Sequence, residues 1–150
     1  MAEIRFYHLE RSSLERVLPK MLETALQRDW RAVVIAGSED RVEALNALLW
    51  VYDKDGFLPH GSRKDGHADK QPVWLTTAEE NPNGAHVAFL VDGAGLSDPS
   101  LFPLCCELFD GKDPDAVARA RDHWKAAKAA GHEITYWQQT ATGWEQKAAG

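Results

Sequence analysis

Short apolar runs of strand length alternate along this chain with segments whose apolar residues recur at helical spacing. Residues 4–9 and 32–36 are two such runs, and between them apolar side chains recur every three or four positions from Leu14 to Leu26. A strand, an amphipathic helix and another strand in succession are typical of a parallel sheet with helices packed on it. The alternation therefore predicts an α/β sandwich with a mostly parallel central sheet.

Residues typical of helix ends support this order. Ser12 and Glu15 have the spacing of a capping box, while Pro19 lies off the apolar stripe that follows and is expected to kink that helix or to mark a new helix start. Three helices are predicted, and they begin after Ser12, after Ser38 and, with Pro114 in the first turn, after Asp113. Further strands are predicted over residues 73–77, 85–91, 105–109 and 132–139, and the helix before the last strand is predicted to end at Ala130 and Gly131.

Length and composition fit one globular domain. The chain has 150 residues, 44% of them hydrophobic and 27% charged, and no apolar run approaches the length of a membrane span. Seventeen Lys and Arg residues against 23 Asp and Glu give a net charge of −6, which argues against binding of nucleic-acid phosphates as the main role. We expect one domain over residues 1–139 and a flexible tail over 140–150.

The two cysteines are adjacent in the sequence, at Cys105 and Cys106. A disulfide framework needs spaced partners, so the pair predicts reduced thiols and a cytoplasmic location. Apolar neighbours surround both residues, and the adjacent Glu107 is the opposite of the electropositive group that activates a thiol. We interpret both cysteines as small buried apolar residues.

Two glycine-containing turns are candidates for a nucleotide site. The turn at Gly93–Gly95 has Asp98 where a dinucleotide fingerprint has its third glycine, and no helical pattern follows directly. The Gly37-Ser38 turn does open a predicted helix, whose free N–H groups could hold an anion. A nucleotide-binding enzyme or switch that uses the Gly37-Ser38 turn is therefore the alternative hypothesis of function.

The polar segment from Asp53 to Gln71 is predicted to be a long loop interrupted by one apolar island. It contains oxygen and imidazole groups at His60, Asp65, His67 and Asp69, but their spacing fits no recognised metal motif. A solvated loop is the favoured interpretation. We predict no metal, no cofactor and no catalytic group anywhere in the chain, since neither a nucleophile motif nor a phosphate-binding loop occurs.

The last predicted helix carries a group of cations beside a tryptophan. At 100° per residue, Arg121, Lys125 and Lys128 share an arc of about 60°, and Trp124 lies at its edge. One interpretation is a solvated face next to a core tryptophan. The other is a docking site for an acidic peptide with a hydrophobic anchor, which would bind in about the micromolar range and weaken with salt.

A second apolar group covers the end of the second helix and the island that follows it, residues 47–52 and 57–60. Aromatic residues at a helix end and a loop tip are typical interface anchors. The same residues could instead fold back over the sheet edge, and the sequence pattern alone leaves both interpretations open.

Several of these segments resemble the chi subunit of bacterial DNA polymerase III. The likeness runs in order from residue 4 to about residue 139. It is carried by Phe6-Tyr7-His8-Leu9, by Ala47-Leu48-Leu49-Trp50 with Phe57-Leu58-Pro59-His60, by Gln71-Pro72-Val73 through Asn83-Gly84-Ala85, and by Arg121-x-x-Trp124-Lys125-x-x-Lys128-Ala129-Ala130-Gly131.

The resemblance implies a Rossmann-like α/β fold that serves as a non-catalytic scaffold without a cofactor. Chi subunits link the clamp-loader assembly to single-stranded-DNA-binding protein by gripping its acidic, phenylalanine-ending C-terminal tail. They also pair with the psi subunit or, in some bacteria, with a helicase-like partner. Contact with DNA would then be indirect, and no membrane would be involved.

The resemblance also implies roles for individual residues. The groove that binds the tail lies on the last helix, with Phe109 as a wall, and Val117 stands where some relatives carry a further cation. The tail-binding role passes to Arg121, Trp124, Lys125 and Lys128. Contact with psi or the helicase-like partner is implied for Trp50, Phe57, Leu58 and Pro59.

Overall fold

The computed structural model describes residues 2–52 and 58–149, which form eight strands and three α-helices. The strands are β1 (Glu3–Leu9), β2 (Ala32–Ile35), β3 (Gly61–Ser62), β4 (Val73–Thr76), β5 (Val87–Leu90), β6 (Leu104–Asp110), β7 (Glu133–Gln139) and β8 (Trp144–Ala149). The helices are α1 (Leu14–Gln27), α2 (Glu39–Val51) and α3 (Pro114–Ala129).

All eight strands join one sheet in the order β3-β4-β2-β5-β6-β1-β7-β8. Every neighbouring pair is parallel except β7 and β8. The predicted α/β architecture with a mostly parallel sheet is therefore confirmed. The central strand β2 shows why, because all four of its residues are buried, as expected for a strand covered on both faces.

The helices lie on opposite faces of the sheet and define two cores. On one face, α1 and α2 cover residues such as Val34, Leu75 and Phe89. On the other, α3 covers residues such as Ile4, Phe6 and Ile134. These are called the α1–α2 face and the α3 face below. Among the described residues, no helix is both long enough and apolar enough to cross a membrane.

The expected flexible tail over 140–150 is wrong for most of its length. Trp144–Ala149 forms β8, which pairs antiparallel with β7. The turn between the two strands is closed by a hydrogen bond of 2.7 Å from the Thr140 N–H to the Gly143 carbonyl. The strand is polar and exposed apart from Trp144, so its sequence carries little of the periodicity that predicts strands.

Two other local predictions also differ from the structure. The predicted loop over 53–71 contains the short strand β3 and a 3-10 turn at Ala68–Lys70 within its described part. The capping box of Ser12 and Glu15 does not form, since α1 begins after Ser13. Instead, the Gln139 side-chain oxygen accepts hydrogen bonds from the N–H groups of residues 10, 11 and 12, so β7 anchors the segment that leads into α1.

Candidate functional site

Helix α3 begins and is anchored as its sequence predicts. The Asp113 side chain accepts a hydrogen bond of 3.0 Å from the Asp115 N–H, and Pro114 occupies the first turn. Ala120 and Ala127 are buried against the sheet. These two positions fix the rotation of the helix about its axis. As a result, the flank of α3 next to β7, together with its solvent side, carries Arg121, Trp124, Lys125 and Lys128. These four residues are called the α3 strip below.

Trp124 is partly buried and lies at the junction of α3 with β1 and β7. Its ring meets Phe6 edge to face with centroids 5.4 Å apart, and it meets Tyr136 edge to face at 6.0 Å. The indole packs on the core of the α3 face without being sealed inside it. Part of the ring is therefore available to a partner.

The three cations of the α3 strip are exposed, and none takes part in the ion pairs recorded among the described residues. Arg121 lies close enough to act on the Tyr136 hydroxyl. Burial raises the pKa of Tyr136, while the Arg121 guanidinium acts in the opposite direction. The strip thus presents unneutralised positive charge beside an aromatic surface.

Phe109 lies behind the strip rather than in it. It is only 7% exposed, and its ring contacts Tyr136 at 6.0 Å and His8 at 5.2 Å. The His8 Nδ1 is in turn hydrogen-bonded to the Tyr136 hydroxyl. Phe109 can therefore support the ring of Tyr136, which is itself the group that stands next to Trp124.

The sequence pattern does not identify three residues that contribute to this surface, namely Tyr136, His8 and Phe6. Their contacts depend on the parallel register of β1 with β7, in which Phe6 pairs with Tyr136. Gly111 belongs to the same arrangement, because a Cβ there would lie 1.9 Å from the His8 Nε2. The only signal in the sequence is the alternation Ile134, Tyr136 on β7, which indicates a shared face but not the neighbour across it.

The second predicted surface is divided by burial. Trp50 is 55% exposed and Val51 73% exposed at the end of α2. Leu58 is only 2% exposed and belongs to the core of the α1–α2 face, so its predicted contact with a partner is wrong. Pro59 is partly exposed, and Phe57 lies outside the described residues.

His60 holds the segment that follows α2 against the end of that helix. Its ring lies 4.8 Å from the Trp50 ring, and its two nitrogens lie 2.7 Å from the Leu58 carbonyl oxygen and 3.2 Å from that of Asn46. His60 therefore packs Leu58 under the end of α2. Within the described part of the chain, no three His, Cys, Asp or Glu residues form a group that could hold a metal ion.

The turn at Gly37 has a structural explanation that does not involve a nucleotide. A Cβ on Gly37 would lie 2.9 Å from the carbonyl oxygen of Asp92, so the close approach of two chain segments requires glycine. Ser38 caps α2 by accepting a hydrogen bond from the Arg41 N–H, and the side chain of Arg41 donates to Asp92. The first turn of the helix also carries Glu39 and Asp40, which oppose an anionic ligand.

Comparison with known proteins agrees with the resemblance in the sequence. The family model of the DNA polymerase III chi subunit, HolC, matches residues 1–135. A relative described as probable DNA polymerase III subunit chi, from Rickettsia prowazekii (strain Madrid E), is 29% identical over 97 residues. That match covers 65% of this chain and 59% of the relative's length. Since the family model accounts for nearly the whole chain, including α3 and the start of β7, the chain belongs to the DNA polymerase III chi subunit family.

Proposed function

We propose that this chain is a non-catalytic accessory subunit that links DNA polymerase III, through its clamp loader, to single-stranded-DNA-binding protein. Membership of the chi family supports an accessory role in DNA replication. The finer proposal is that the α3 strip binds the acidic C-terminal tail of single-stranded-DNA-binding protein, which ends in phenylalanine. DNA would then be contacted only through that protein.

One observation carries this proposal. A chain with a net charge of −6 presents three exposed cations without ion-pair partners, among the described residues, next to the partly buried ring of Trp124. The cations suit the carboxylates of an acidic segment. The surface formed by Trp124 and Tyr136 suits the ring of a phenylalanine, since aromatic pairs prefer edge-to-face or offset contacts.

The expected affinity is modest. Each exposed ion pair contributes about 0.2–1 kcal/mol, and burial of one aromatic side chain contributes about 1.5–3 kcal/mol before ordering costs. These contributions total at most about 6 kcal/mol, so a tail held by three such pairs and one ring would bind with a Kd of about 0.05 mM or weaker. Such an interaction suits a contact that must be released and remade.

The proposal is tested by titrating a fluorescent acidic peptide that ends in phenylalanine into the protein and following anisotropy. We expect saturable binding that is weakened about tenfold or more by Trp124→Ala and by up to about fivefold by Arg121→Ala. Lys20→Ala is the matched control, because Lys20 is an exposed cation on α1, which packs on the opposite face of the sheet.

The same peptide ending in alanine separates anchored binding from simple charge attraction. Equal binding of the two peptides, or full affinity in both the Trp124 and Arg121 variants, would contradict the proposal. Loss of binding in the Lys20 variant as well would indicate attraction without a defined site.

A second proposed contact is with psi or a helicase-like partner through the end of α2. The supporting observation is that Trp50 and Val51 are large apolar residues left more than half exposed, at 55% and 73%. Exposed aromatic residues next to apolar neighbours are typical anchors of protein interfaces. Leu58 is excluded from this surface by its burial.

This contact is tested by pull-down with recombinant psi or the helicase-like protein. We expect Trp50→Ala to lose the partner, whereas Trp124→Ala keeps it because the two residues lie on helices that cover opposite faces. Retention of the partner by the Trp50 variant would contradict the proposed contact.

A further inference from the structure

The α3 face contains a cleft on the flank of α3 opposite to the strip. Its volume is about 350 Å³, within the range of small-molecule sites and far above the voids that close packing leaves in cores. The cleft exists because the connection from β5 to β6 crosses this face as a loop whose one regular element is the 3-10 turn Pro99–Leu101. A crossover helix would have filled that space.

The walls of the cleft are mostly apolar. Ile4, Phe6, Leu90 and Cys105 form its floor on the sheet, and Leu96 and Pro99 cover it from the crossover loop. On α3 the wall consists of His123 and of alanines, including Ala126 and Ala127. Small residues on the helix thus leave room that larger side chains would occupy.

The cleft contains one buried acid. Glu107 is 6% exposed, and its Oε1 lies 2.7 Å from the His123 Nδ1, which donates to it. No other hydrogen bond to the Glu107 side chain is recorded among the described residues. The Glu107 Oε2 is not among the described side-chain atoms that are both fully buried and without a partner, so the cleft leaves this oxygen within reach of water or a ligand.

The other polar side chains that line the cleft are partly engaged by the protein. The Ser97 hydroxyl and N–H bond to Glu79, and the His132 Nδ1 accepts a hydrogen bond from the Ala2 N–H. Gly95 leaves room for the His123 ring, since a Cβ there would lie 3.3 Å from two of its atoms. Glu107 supplies the one carboxylate among the described residues that line the cleft, beside the Nε2 atoms of His123 and His132, for which no hydrogen bond is recorded.

We propose that this cleft binds a small primary amine with an apolar body, whose ammonium group donates to Glu107 while the body fills the space between α3 and the crossover loop. The apolar walls supply the burial and the carboxylate supplies the charge complementarity. The site is separate from the α3 strip, which lies on the other flank of the helix.

Benzylamine is a suitable probe, with benzyl alcohol and benzoate as matched neutral and anionic molecules. We expect benzylamine to produce saturable shifts in the NMR methyl signals of Leu90, Leu96 and Ala127. Benzyl alcohol should bind about tenfold more weakly, because it loses a charge-assisted hydrogen bond, and benzoate should not bind. Absence of saturable shifts, or equal binding of all three probes, would overturn the proposal.

Two variants assign the binding to this cleft. Glu107→Gln should lower the affinity for benzylamine about tenfold and leave that for benzyl alcohol unchanged. Ala126→Leu, at an exposed position on the cleft wall, should block both without endangering the fold. Ala118→Leu is the control, because Ala118 is also exposed on α3 and does not line the cleft. Undiminished benzylamine binding in the Ala126 variant would overturn the assignment.

Discussion

The ring of Trp124 on α3 meets the ring of Tyr136 on β7 edge to face, with centroids 6.0 Å apart. This contact joins the helix that carries the cations to the strand beside it. Because Tyr136 is also hydrogen-bonded to His8 on β1, its ring is held from two sides. The aromatic surface proposed to receive a partner is therefore preorganised, which lowers the ordering cost of binding.

The two parts of Tyr136 are expected to matter differently. Tyr136→Phe removes the hydroxyl bond to His8 and should lower the free energy of unfolding by about 0.5–1.5 kcal/mol while keeping most of the peptide affinity. Tyr136→Ala removes the ring beside Trp124 and should weaken the peptide several-fold further. Urea unfolding and peptide anisotropy on both variants check this. Equal peptide affinity in the Phe and Ala variants would contradict a role for the ring.

Binding of the acidic peptide should depend on salt through the α3 strip. Raising the ionic strength from about 0.1 M to about 1 M shortens the Debye length from about 10 Å to about 3 Å, which screens exposed pairs. We expect the affinity of the wild-type protein for the peptide to fall over this range. In a variant with Arg121, Lys125 and Lys128 all changed to Ala, the peptide affinity should depend little on salt. A variant that retains the full salt dependence would place the responsible charges elsewhere.

The pair of Glu107 and His123 should make stability depend on pH. Burial raises the pKa of Glu107, and the hydrogen bond to Glu107 raises the pKa of His123 above 6.5, with Asp122 acting in the same direction and Arg119 against it. Both groups bind protons more tightly in the folded chain, so their stabilisation is full at low pH and is lost as the pH rises through the folded pKa values.

The comparison that checks this uses wild type and Glu107→Gln, unfolded in urea at a series of pH values. The free energy of unfolding of wild type relative to the variant should fall as the pH rises above 4.5, and should go on falling above 6.5 as His123 loses its proton. A difference that is constant or rises with pH would contradict the coupling of the two groups.

Both thiols should be inert in the folded protein. Burial raises the pKa of Cys105 and of Cys106 to about 12, and the two side chains belong to opposite cores because successive residues of a strand alternate. At about pH 8 we expect Ellman's reagent to react only at the rate of unfolding, since a thiolate is the reactive form. If part of the reaction with Ellman's reagent is faster than unfolding, the variants Cys105→Ala and Cys106→Ala show which thiol is responsible. A fast reaction at either thiol would contradict the prediction.

The regular elements of this fold follow closely from local patterns, whereas its edges do not. The apolar runs and caps predict β1, β2, α2 and α3 to within a residue or two, because each is a buried or amphipathic segment with a clear start. The short strand β3 and the polar strand β8 are formed by pairing with neighbours. Nothing in their own composition distinguishes them from loops.

The candidate site shows the same division. Helical arithmetic alone brings Arg121, Trp124, Lys125 and Lys128 together, because their spacing within α3 fixes their relative positions. The rings behind them come from β1 and β7, whose register depends on the whole sheet. Burial likewise separates Leu58 from Trp50, although the sequence places them in one apolar group.

Helices α2 and α3 cover opposite faces of the sheet, so the exposed end of α2 and the cationic flank of α3 lie on opposite sides of the molecule. Ligands at these two places would therefore have no shared footprint. Their binding free energies should then simply add, with a coupling free energy near zero. The layered architecture would in this way let one subunit hold two large assemblies at once, each free to dissociate without altering the grip on the other.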